Sequence, residues 1–264
     1  MRYIIRLLLA MMMYVPTNMW AQHIIDPMLT QEFSEHVKSI DEFMNRFNGT
    51  EAYPGLDKSA PDYRMKNLIS LCDRAMKNEL KQKVISFAQS IIDNNIHLDY
   101  TEDKWYAIAK CDIKFKGKNT YVNLILHPER INGERYRWVF CGADNVNNNL
   151  IDVQLKSAIS PVEHEIHFME LQSIFKNDRQ HIFSYRESNY AIDQLSAFLA
   201  LAQAGSIEFD QVKDLKFVFM QVPDYIFIVE EKGRRGSNAG WLITSFEAKT
   251  VAEKKQYVKK ILGK

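Results

Sequence analysis

From Trp105 to Phe115 the apolar side chains fall on every second residue. Trp105, Ala107, Ala109, Cys111, Ile113 and Phe115 alternate with Lys110, Asp112 and Lys114. A period of two predicts a strand with one buried and one wet face. Lys116-Gly117-Lys118-Asn119 supplies a hairpin turn. Tyr121–His127 is the expected return strand, ended by Pro128, and Glu134–Cys141 a third. There Tyr136, Trp138 and Phe140 share one face, and Arg135 and Arg137 the other. A second meander is expected at Leu215–Val222, Tyr225–Glu230 and Trp241–Phe246, with a turn at Pro223-Asp224 and a polar loop at 232–238. Its first two runs are apolar on both faces, so both faces must be covered.

Elsewhere the period is three to four, which predicts amphipathic helices. One spans 29–48, with Phe33, Val37, Ile40, Met44 and Phe47 as its stripe and Asn48-Gly49 as its stop. A loop over 50–62 follows. Helices are then expected from Pro61 or Asp62 to about Met76, and from Lys77 or Asn78 to about Asn94. Ser160-Pro161-Val162-Glu163 reads as a capped helix start, with the helix running to about Phe175. Another starts at Ser188 or Asn189 and stops at Gly205. The tail, Lys249–Lys264, carries Val251, Tyr257, Val258 and Ile261 as a weak apolar face. Helices thus precede a three-strand meander twice, and a tail helix closes the chain. The expectation is an α+β fold, with helices packed on a mainly antiparallel sheet of about six strands. It is either one domain over 22–264 or two halves, 22–149 and 150–264.

The start of the chain changes the picture of where the protein goes. Met1–Arg6 is basic, Leu7–Val15 is apolar, Pro16 breaks the run, and Met19-Trp20-Ala21 offers a cleavage site before Gln22. Nine apolar residues are too few to span a bilayer, so residues 1–21 read as a secretory signal peptide. The expected location is the bacterial periplasm or outer surface, with no membrane span after cleavage. The formal net charge is +1, from 34 Lys and Arg against 33 Asp and Glu, so the overall balance carries no nucleic-acid signal. Three cysteines, Cys72, Cys111 and Cys141, do not make a disulfide framework. The readings left open are a Cys111–Cys141 bridge and buried free thiols.

Candidate chemistry is sparse. His164 and His167 sit at i and i+3 just inside the capped helix, a spacing at which two imidazoles reach one metal, but no third ligand is evident. Asp193 and His127 are candidate acid or base groups for a small hydrolase- or isomerase-like pocket. Gly233-Arg234-Arg235-Gly236 can meet an anion. Asn48-Gly49-Thr50 matches a glycosylation sequon. Trp138, Tyr225, Phe227 and Trp241 are aromatic strand residues of the kind that line ligand cavities, with Asp193 as a polar partner. No cofactor motif occurs, and none is expected.

The stretches DEFMNRFNGTE (41–51), ISPVEHEIHFMELQSIF (159–175) and VFMQVPDYIFIVEEKGRRGSNAGWLI (218–243) resemble a family of exported proteins of gut-type anaerobic, Bacteroides-like bacteria. That resemblance implies an envelope location and brings no catalytic residues. In element order alone the chain also resembles the nuclear-transport-factor-2-like fold, in which helices wrap a curved sheet around a pocket. The expected function is that of an exported, non-catalytic protein binding a small ligand or an envelope partner. The alternative is the pocket enzyme.

Overall fold

The computed structural model describes residues 39–52, 55–131, 135–146, 171–177, 193–233 and 238–263. The expected signal segment, residues 29–38 and the capped start at Ser160 lie outside them. The strands are β1 (Trp105–Phe115), β2 (Lys118–Ile131), β3 (Arg135–Asp144), β4 (Ile207–Phe219), β5 (Tyr225–Lys232) and β6 (Gly240–Ala248). The helices are α1 (Ile40–Asn48), α2 (Tyr63–Ser70), α3 (Arg74–Glu79), α4 (Lys81–Asp93), α5 (Leu171–Asn177), α6 (Gln194–Gln203) and α7 (Val251–Ile261). The strands form one curved, unclosed antiparallel sheet in the order β3-β2-β1-β4-β5-β6. The two meanders are therefore joined along β1 and β4, and the fold is α+β.

One row of rings crosses this sheet. Trp105 is opposite Phe219, Phe219 opposite Phe227, and Phe227 opposite Phe246. Trp105 stacks on Phe219 at 5.2 Å between centroids, and Phe219 on Phe227 at 4.9 Å. From the helical side, Phe47 stacks on Phe227 at 5.7 Å and Phe87 on Phe246 at 4.6 Å. Such contacts add to the burial of large apolar areas. The stripe of α1 predicts this docking: Phe43, Met44 and Phe47 are buried, Ser39 caps the start, and Gly49 ends the helix at a φ of 75°.

Helices cover both faces of β4 and β5. On the first, α1, α2 and α4 supply Phe43, Leu68, Val84, Phe87 and Ile91. At the other end of that face, α6 brings Phe198 to Cys111, Ile113, Val122 and Leu124. On the second face, Tyr257, Val258 and Ile261 of α7 meet Val218, Met220 and Ile226. Thr250 and Glu253 form a capping box there, and the Lys254 ammonium donates to the carbonyls of Met220 and Val222.

Several boundaries differ from the expected ones. The helix expected over 61–76 stops at Ser70, because residues 71–73 serve the sheet instead. The Ile243 N–H donates to the Leu71 carbonyl, and the Asp73 N–H to the Ile243 carbonyl, each at 2.8 Å. Asp73 then caps α3, accepting from the Ala75 N–H. The next break falls at Leu80, not at Lys77. The helix expected from Ser188 or Asn189 has its cap at Asp193, in extended backbone. Strand β2 does not end at Pro128. The β1 ladder stops at Ala107–Leu126, so Pro128 sits where β2 pairs with β3 alone. Strand β4 starts at Ile207, well before Leu215, in a stretch too polar to show an apolar pattern.

All three cysteines are free thiols. Cys111 and Cys141 lie on β1 and β3 with β2 between them, so two strand spacings, roughly 10 Å, separate them. That exceeds the ~7 Å reach of a disulfide between Cα atoms. Of the two readings left open, the Cys111–Cys141 bridge does not form and the free thiols stand. Burial pushes the Cys72 thiol up to about 12, leaving it almost no thiolate at neutral pH. Cys141, which is half-buried, is expected to react first with a maleimide in the folded protein, with Cys72 silent until unfolding. Mass mapping of the labelled peptides checks this. Early labelling of Cys72 would show that the seam between α2 and β6 opens readily.

Candidate functional site

The ring row does not stop at β1. Pro128 is opposite Trp138 on β3, and the Trp138 ring meets Trp105 edge-on at 4.7 Å across the small proline. Here the row reaches solvent. Trp138 is 42 % exposed and Phe140, two residues along on the same face, is 48 % exposed. Phe217 lies between the two exposed-side tryptophans, 6.2 Å from Trp138 and 5.0 Å from Trp241. Beyond these rings runs the outer edge of β3. Among the described residues, no backbone hydrogen bond reaches Arg135–Phe140 from beyond β2. At the opposite edge of the sheet, Leu71–Asp73 pairs with Ile243 in the middle of β6.

Sequence-predicted candidates fall in different places. Trp138 and Trp241 flank Phe217. Tyr225 packs edge-on against Phe87 at 5.1 Å, and Phe227 is wholly buried among core rings. Asp193 accepts from the N–H and the hydroxyl of Ser196 at the start of α6. His127 is opposite Val139, one residue out of step with the Pro128–Trp138 pair, so it points to the other face of the sheet. There its ring lies 6.2 Å from Tyr106, whose hydroxyl pKa is raised chiefly by burial. The structure brings neither Asp193 nor His127 to Trp138. His164, His167, Arg234 and Arg235 lie outside the described residues, and among those described no three metal-ligating side chains converge. The Asn48 amide of the sequon is engaged: its Nδ2 donates to the Leu98 carbonyl at 2.8 Å and its Oδ1 accepts from the Leu98 N–H at 2.7 Å.

Two open clefts were not legible as sites in the sequence. One, of about 500 Å³, lies where β4 and β5 diverge, lined by Lys213, Asp214, Leu215, Glu231 and Trp241. The other, of about 600 Å³, is flanked by α3 and α4 and carries Arg74, Lys77 and Lys81. The second had a signal: these three cations follow helical spacing, i, i+3 and i+7. It was masked by placing a helix boundary at Lys77.

The chain matches no family model, no curated protein and no solved structure. No described helix is long and apolar enough to cross a membrane.

Proposed function

We propose that this is an exported, non-catalytic protein that holds a partner in the bacterial envelope, adding an extended segment of that partner to the edge of β3. The observation that carries the reading is the pair Trp138 and Phe140, side by side and about half exposed, next to a strand edge that has no partner among the described residues. Backbone hydrogen bonds at a sheet edge supply affinity, and side chains on alternate positions supply selectivity. Exposed aromatics over a filled core are the residues that dominate such interfaces. A binding role also accords with the placement of the acid–base candidates. Asp193 is occupied as a helix cap, and His127 faces away from the exposed rings.

The reading is tested with envelope extract passed over the immobilised protein. The Trp138→Ala/Phe140→Ala variant should lose a partner that both the wild type and Tyr121→Ala retain. Tyr121 is exposed on β2 with Lys110 over its ring, which makes it a fair control. Equal retention by the double variant would sink the proposal. Export is read separately, from the N-terminus of protein recovered from the envelope, expected at Gln22.

A further inference from the structure

The cleft flanked by α3 and α4 lies at the far end of the sheet from β3. Its wall consists of Ile69, Arg74, Lys77, Asn78, Lys81, Val84, Ile85 and Asn238. Three of these are cations and none is an acid, in a chain whose charges nearly cancel. Arg74, Lys77 and Asn78 follow helical spacing on α3, and Lys81 opens α4 just past the break at Leu80, so all four line the cleft while Met76 and Val84 turn to the core. Among the described residues, none of the three cations has a carboxylate within ion-pair distance.

Lys77 is the informative one. It is half-buried, and burial, the largest effect, holds its ammonium below the usual lysine range against the opposing pull of Cys72 and Asp73, with Arg74 adding a smaller push downward. The Asp73 carboxylate acts on Lys77 from outside the cleft wall and does not offset the desolvation of its ammonium, a penalty that an anion bound in the cleft would reduce. The apolar floor of Ile69, Val84 and Ile85 lowers the local dielectric and strengthens that attraction. The first turn of α4 adds to it: its cap is Leu80, which gives no side-chain acceptor to the helix N–H groups. The wall is also fixed. Asn238, in left-handed backbone at a φ of 71°, donates to the carbonyls of Ser70 and Cys72, tying the start of β6 to the end of α2.

We infer that this cleft binds a phosphate or sulfate oxyanion carried on a small organic body, with Arg74, Lys77 and Lys81 as the groups that hold it. Arg offers a planar fork and Lys a point charge to such oxygens. A volume of about 600 Å³ exceeds that of a bare anion and suits a small-molecule ester. This site goes beyond the partner-docking role of β3 and does not depend on it.

Calorimetric titration of the purified protein at low ionic strength is the test, with inorganic phosphate, inorganic sulfate and glycerol 3-phosphate as probes. Saturable binding is expected for the wild type. Removing two charges, in Lys77→Gln/Lys81→Gln, should weaken it about tenfold or more. Arg74→Gln alone, at an exposed position, should weaken it in the same direction. Lys83→Gln, on α4 but outside the cleft, should bind as the wild type does. Tighter binding of glycerol 3-phosphate than of either inorganic anion supports an ester ligand. Equal binding overturns the organic body and leaves a site for the free oxyanion. No saturable heat with any probe, or an equal loss in Lys83→Gln, overturns the site itself.

Discussion

Replacing Phe227 by alanine is expected to destabilise the protein by about 3–5 kcal/mol, the range for deleting a buried phenyl group. Phe227 is 0 % exposed and is opposite both Phe219 and Phe246. It also meets Phe43, Phe47 and Phe87 from the helices. These neighbours are themselves anchored by the sheet and by α1 and α4, so the cavity has little freedom to collapse. Urea unfolding of the purified protein would show a lower midpoint at an unchanged slope. Trp138→Ala, at the exposed end of the same ring row, should lose much less than half as much. If the two variants proved equally unstable, the row would not be organised around the β4–β5 pair.

Replacing Asn48 by alanine is expected to be the next most damaging change, at about 2–4 kcal/mol for two backbone groups left without partners. The side chain pairs with both the N–H and the carbonyl of Leu98, fifty residues away. It thereby ties the end of α1 to the segment that enters β1. Arg64 reinforces the join, donating to the carbonyls of Asn48 and Ile96. Asn48→Asp separates the parts of this effect. Aspartate still accepts from the Leu98 N–H, but when ionised it cannot donate to the Leu98 carbonyl. That contact favours the protonated acid, so its folded pKa lies above the unfolded one, near ~3.9. The variant should therefore be closest to wild type below pH ~4 and lose stability as pH rises from there. A variant equally stable across that range would show that the Leu98 carbonyl finds another donor.

Most of the architecture was legible because the two periods were clean. The alternation over Trp105–Phe115 and the two-faced apolar runs at Tyr225–Glu230 predict a half-wet strand and a doubly covered one. The structure has Lys110, Asp112 and Lys114 on the open face of β1, while α1 and α7 sit on opposite sides of β5. What failed to show were features set by long-range pairing. Leu71, Cys72 and Ala75 continue a helical stripe, so the break at 71–73 is visible only once β6 arrives to take its hydrogen bonds. The early part of β4 is held by β1 alone and carries Glu208, Asp210, Lys213 and Asp214, so no apolar pattern marks it. For the candidate sites, residue type served better than grouping. Trp138 and Trp241 were singled out and share Phe217 as a neighbour. Tyr225 and Phe227, equally aromatic, proved to be core, because periodicity cannot distinguish a ring packed under a helix from one left at the end of a row.

The bridge on the β6 edge of the sheet carries a consequence of its own for self-association. Leu71–Asp73 already occupies the hydrogen-bonding groups of Ile243, so a second molecule cannot run an unbroken ladder through the middle of β6. Where the early part of β4 extends past the β5 ladder, two bulges distort its ladder, and the extra residues they insert, Lys213 and Asp210, are both charged. Among the described residues, that leaves β3 as the place where the sheet can grow. Two copies meeting there would use up the edge of each, and the stack would end at two. A chain built this way can lend its edge to a partner without seeding a fibre.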